Sequence, residues 1–124
     1  MIRNMNLLLV AALVGIIAAA SANAADTFRK LSTAEIKSKI AGMENTDEVH
    51  WADLFQKDGT FVSYSMSKKR TGKWFFRNNE LCLDNGKEPA DCNEVWMSGN
   101  KVEYRNQRGA PPLEAVLIKQ QPRS

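Results

Sequence analysis

The sequence predicts a mainly β domain with one short N-terminal helix, and three observations carry that prediction. Seven runs of four to eight residues, most of them alternating apolar with polar positions, follow one another from Glu48 to Lys119. Connections of fewer than ten residues join them, whereas parallel pairing needs crossovers of a dozen or more. The strands therefore form an antiparallel meander. The only stretch with helical spacing lies ahead of them, behind the capping signature Ser32-Thr33-Ala34-Glu35.

The helix is read from its ends and one face. The Ser32 hydroxyl is placed to accept from the amide of Glu35 while the Glu35 carboxylate reaches back to Ser32. Ile36 and Ile40 fall four apart on one side, Leu31 before the cap supplies a hydrophobic staple, and Gly42 supplies a left-handed stop.

The strands are predicted at Glu48 to Phe55, Thr60 to Met66, Gly72 to Arg77, Glu80 to Leu83, Cys92 to Ser98, Lys101 to Arg105 and Leu113 to Lys119. Lys57-Asp58-Gly59, Asn78-Asn79, Asp84-Asn85-Gly86 and Ser98-Gly99-Asn100 break them with turn chemistry. Val62 and Tyr64, Trp74 and Phe76, Leu81 and Leu83, and Val102 and Tyr104 pair up on shared faces. Pro111 and Pro112 keep the last connection out of the ladder. Such a meander either curls into a partly closed barrel or lies as a sheet covered by the helix.

Upstream, Arg3 precedes an uncharged run from Leu7 to Ala20 that ends in Ala22-Asn23-Ala24. That order reads as a signal peptide over residues 1–24, too short to span a membrane, with a single domain over residues 25–124. Residues 22–26 hold no cysteine for a lipid anchor. The expected location is periplasmic or secreted, where Cys82 and Cys92 can pair as a disulfide. The domain has sixteen Lys and Arg residues against fourteen acids, and only Lys68-Lys69-Arg70 forms a cluster, read as a turn. This is not the basic footprint of a nucleic-acid binder.

In order and spacing the chain resembles small secreted alphaproteobacterial proteins grouped under an uncharacterised domain family with paired cysteines. The matching segments are Leu31-Ser32-Thr33-Ala34-Glu35-Ile36, Asp58-Gly59-Thr60, Gly72-Lys73-Trp74, Leu81-Cys82 and Cys92-Asn93-Glu94-Val95-Trp96. The resemblance implies a small β-rich envelope domain and brings no catalytic residue. Gly72-Lys73-Trp74 is also similar to the Gly-x-Trp motif of lipocalins. There it sits near the amino end, whereas here it is central, in a domain short for an eight-stranded ligand-holding barrel.

No nucleophile, base and orienting group co-locate in the sequence. His50 is the only histidine, and on a strand it points away from Asp53 and Val49, leaving local acids poorly placed to serve it. One histidine and two separated cysteines do not complete a metal site, and no cofactor is implied. Asp84, Glu88, Asp91 and Glu94 around the cysteine loop read as solvated charge. The expectation is an exported, non-enzymatic, monomeric domain that binds a cell-envelope partner. Its contact surface would combine Phe75, Trp96, Lys68, Lys69 and Arg70. Two alternatives remain: a small hydrolase using His50 or Asp53, and a carrier of a small apolar ligand in a cavity lined by Trp74 and Val62.

Overall fold

A computed structural model describes residues 27–84, 86, 89–106 and 108–123. The leader segment and Glu88 lie outside the described residues. The chain forms β1 (Arg29–Lys30), α1 (Thr33–Lys39), β2 (Met43–Thr46), β3 (Trp51–Phe55), β4 (Thr60–Ser65) and β5 (Lys68–Arg77). It continues as β6 (Glu80–Asp84), β7 (Asp91–Ser98), β8 (Lys101–Arg105) and β9 (Leu113–Lys119).

The helix has the predicted start. Ser32 Oγ accepts from the Glu35 amide and the Glu35 carboxylate accepts from the Ser32 amide, both at 3.3 Å. Arg29 adds an ion pair to Glu35 at 2.6 Å. This bond and the Ser32 amide hold the Glu35 carboxyl down to about 2. Gly42 follows with φ +82° and donates its amide to Phe55 at 2.7 Å, a conformation that only glycine adopts readily.

β2 to β9 pair in sequence order, all antiparallel, and β9 returns to pair with β2. The result is a closed eight-stranded up-and-down barrel, with β1 as an extra strand on β7. Closure removes the edges that a small open sheet would have to protect. Eight strands of four to ten residues thus close in a domain expected to be short for an eight-stranded ligand-holding barrel.

Two other expectations need correction. Among the described residues nine strands replace the predicted seven, because Met43–Thr46 and Arg29–Lys30 also pair. Lys68-Lys69-Arg70 is not a turn but the start of β5, facing Ser65, Tyr64 and Ser63 across the ladder. The turn is Met66-Ser67, with φ of 51° and 66°, the left-handed pair that a two-residue hairpin requires. Residues 48–50 precede β3 rather than belonging to it.

Alternation places one side of each strand inside. Phe55, Trp74, Leu81, Val95, Val102, Tyr104 and Ala115 form one cluster with Leu31, Ile36 and Ile40. Ile36 and Ile40 are fully buried, and each contributes roughly 1.5–3 kcal/mol by leaving water. Phe55 packs against Phe61, Trp74 and Tyr104 at ring separations of 5.2, 5.9 and 6.4 Å. Trp74 Nε1 donates to the Gln56 carbonyl at 2.7 Å, so the ring is buried with its polar atom satisfied.

Cys82 and Cys92 stand opposite each other on β6 and β7 and form the expected disulfide. No cysteine is free. Among the described residues no helix is long and apolar enough to cross a membrane.

Candidate functional site

The register of β2 to β5 stacks inward-facing residues into rows of contrasting chemistry. Phe55, Phe61 and Gly72 stand opposite one another in the first row. One step along the strands, Asn45, Asp53, Ser63 and Arg70 form the second. A further step brings Trp51, Ser65 and Lys68 into line. The interior thus grades from aromatic, through hydrogen-bonding, to a rim where Lys68 and Arg70 are exposed.

The middle row is the unusual one, because a barrel of this size ordinarily fills its interior with apolar side chains. Asn45 is fully buried. Its Oδ1 accepts a short hydrogen bond from the Tyr104 hydroxyl, while its Nδ2 has no partner among the described residues. A buried donor left without an acceptor costs about 1–3 kcal/mol. Asp53 bonds to the Ser63 side chain, yet burial outweighs that bond and pushes the carboxyl above its ordinary value. Burial likewise raises the Tyr104 phenol, and the Asp53 charge raises it further, so the phenol stays a hydrogen-bond donor.

A half-open pocket of about 230 Å³ reaches this row from the side of the β8–β9 connection. Opposite walls line it: Asp53 and Phe55 from β3, and Leu81, Leu83, Asn93 and Tyr104 from β6, β7 and β8. Asp91, Asn106, Pro111 and Leu113 stand around the same space. The described lining contains two carboxylates and no lysine or arginine. An apolar body with a few convergent polar groups is the usual make-up of a small-molecule site.

The structure separates the other sequence candidates. His50 lies outside the barrel beside a groove of about 520 Å³ lined also by Thr46, Trp51, Tyr64 and Arg123, whereas Asp53 lines the interior pocket. The expectation that no local acid serves His50 is overturned, because Asp47 Oδ2 meets His50 Nδ1 at 2.8 Å. Residues 48–50 form a bend rather than strand, and this lets the ring turn back to Asp47. The other oxygen of Asp47 accepts from the amides of Val49, His50 and Trp51 at 3.0, 2.7 and 3.0 Å. Partial burial pushes this carboxyl up, but these bonds outweigh it and hold it well below the usual carboxylate range.

The five residues of the expected contact surface are not gathered. Phe75 is half-buried on the outer face, with the Arg77 guanidinium 5.4 Å from its ring centre. Trp96 is half-buried beneath Arg105, whose guanidinium is 4.0 Å from the ring centre and pairs with Glu103 at 2.8 Å. Lys68 and Arg70 share the inward side of β5 while Lys69 faces out, about 20 Å along the strand from Phe75. Val62 stands opposite Leu54 on the outer side, so it and Trp74 do not share a cavity.

Sequence reasoning missed Asn45, Ser63 and Tyr104 as site residues. One signal was available: Asp53 sits between Trp51 and Phe55 at alternate positions, a carboxylate on the aromatic face of a strand. Among the described residues no His, Cys, Asp or Glu group is arranged to hold a metal ion. Comparison with known protein families, curated proteins and solved structures finds no match for this chain.

Proposed function

We propose that this protein is a non-catalytic binding protein that works in an oxidising compartment, periplasmic or secreted, and holds a small organic cation inside its barrel. The leader read from the sequence and the Cys82–Cys92 bond support the compartment. The observation that carries the ligand class is Asp53, a largely buried carboxylate facing a pocket whose described lining offers no cation to pair with it. A protonated amine would meet that carboxylate while its apolar body packs on Phe55, Leu81 and Leu83. Burial makes the Asp53 charge costly alone and strongly favourable once paired.

A volume of about 230 Å³ lies below the ~300–1,000 Å³ of drug-sized sites, so the ligand is small. Asn106, Asn93 and Tyr104 supply hydrogen-bonding groups around the head. Calorimetric titration with a panel of primary and quaternary amines, matched against carboxylates and alcohols of the same carbon skeleton, tests the reading. Saturable binding of amines, weakened at least tenfold by Asp53→Asn, is the expected result. Failure of every amine to bind more tightly than about 1 mM would remove it.

A further inference from the structure

The β4–β5 hairpin carries a second site, separate in its lining from the interior pocket but joined to it through Ser63, which bonds to Asp53. Ser63, Ser65, Met66, Lys68 and Arg70 enclose a basin of about 240 Å³. Two cations and the Ser65 hydroxyl converge there, because Ser63 opposes Arg70 and Ser65 opposes Lys68, while the Ser63 hydroxyl donates to Asp53 behind them. Among the described residues neither cation forms a salt bridge, and both are exposed. A hydroxyl donor beside paired cations is the chemistry that recognises a phosphate group.

Beside the basin the hairpin tip is apolar where apolar residues are least expected. Met66 and Val49 are 76% and 79% exposed, the two most exposed large hydrophobic residues of the described chain. Both border the same outer groove. Met66 also occupies a turn position at φ 51°, where Asn or Gly is preferred, so packing and turn geometry give no reason for a methionine there.

We propose that this tip docks on an anionic phospholipid surface, with the basin holding a headgroup phosphate and Met66 and Val49 entering the interface. Lys68 and Arg70, exposed beside Met66, supply the charge complementarity that selects this occupant over an uncharged apolar partner, with Glu48 next to Val49 as the opposing charge. Exposed apolar side chains flanked by cations are how peripheral proteins settle on such membranes.

Vesicle co-sedimentation of the disulfide-bonded protein tests the assignment, comparing vesicles of about one-third anionic phospholipid with purely zwitterionic ones. Binding to the anionic vesicles alone is expected. Lys68→Gln with Arg70→Gln should weaken it by roughly 25-fold, about fivefold per charge. Met66→Ser should weaken it further at unchanged charge. Lys69→Gln with Lys73→Gln removes two charges from the opposite side of the same strand and should cost less than about fivefold. Equal losses in the two double variants would reduce the effect to diffuse attraction and overturn the basin. Absence of vesicle binding would overturn the proposal, as would capture of free inorganic phosphate by the basin without it. Circular dichroism of each variant separates lost docking from lost folding.

Discussion

Tyr104 donates its hydroxyl hydrogen to Asn45 Oδ1 in the barrel interior, joining residues 59 positions apart in the chain. The bond ties β8 to β2, two strands that do not pair with each other but both pair with β9. It is therefore a polar brace across the closure. It also leaves the Asn45 amide nitrogen in the interior with nothing to donate to among the described residues.

Removing one end of this brace should cost more than removing both. Tyr104→Phe strips Asn45 of its remaining side-chain partner and is expected to lower stability by about 1–3 kcal/mol. Combining it with Asn45→Leu, an apolar replacement of similar size, should restore most of the loss. Urea unfolding of the single and double variants checks both statements. Equal or additive losses would show that the bond is incidental.

The Asp47 network predicts acid sensitivity. Its folded carboxyl lies below the unfolded value near 4, so it contributes stability that is present above about pH 4 and lost as pH falls towards the folded value. Asp47→Asn should thus be less stable than the parent at pH 7, with the gap closing on acidification. Thermal melts between pH 7 and pH 2 measure that gap. A gap independent of pH would point to lost shape rather than lost charge.

How far the fold was legible depended on where apolar alternation coincided with pairing. The helix announced itself through Ser32, Glu35, Ile36 and Ile40, and the apolar strands from Trp51 to Phe55 and from Val95 to Met97 kept their period. β2 did not, because Met43-Glu44-Asn45-Thr46 buries three polar residues in succession. Glu44 is covered on the outer side by Arg123 and the Gln121 amide, while Asn45 is held inside by Tyr104. Both partners lie far along the chain, so no local pattern could reveal the strand that closes the barrel. β5 hid its first residues for a related reason: Lys68 to Thr71 extend a ribbon whose pairing is set by the Met66-Ser67 turn, not by hydrophobicity. The pocket shared this obscurity, since Asp53, Asn45 and Ser63 meet only through register.

The outer clasp of β2 is open to test through Arg123, whose guanidinium pairs with Glu44 at 2.5 Å and lies 4.5 Å from the centre of the Tyr64 ring. Glu44 is only 3% exposed, and its other oxygen accepts from the Gln121 amide at 3.0 Å. Arg123→Ala should cost about 1.5–3 kcal/mol, as loss of a charged hydrogen bond at a buried acid does. Arg123→Lys should recover only part, because an ammonium cannot reproduce the stacking on Tyr64. Denaturant midpoints for the two variants decide it.

The disulfide should add stability without defining the fold. Cys82 and Cys92 are ten positions apart on strands that already pair, so reduction lifts a constraint on an 11-residue loop. The chain-entropy account puts the loss at about 3 kcal/mol. Cys82→Ala with Cys92→Ala is expected to keep the far-ultraviolet spectrum while unfolding at lower denaturant. Loss of the β spectrum in that variant would show that the bond is needed to form the barrel.

Asp53 should behave in the opposite sense from Asp47. Its folded carboxyl titrates above the unfolded value near 4, so its charge opposes folding at neutral pH, and the penalty disappears as pH falls below about 4. Asp53→Asn is isosteric and can still bond to Ser63, so it should raise the melting temperature at pH 7 and leave it nearly unchanged at pH 3.5. The same substitution should abolish any stabilisation that an amine ligand gives the parent protein at pH 7. If Asp53→Asn instead destabilised the protein at both pH values and left amine-induced shifts intact, the carboxylate would be part of the interior framework and the pocket would lose its anchor.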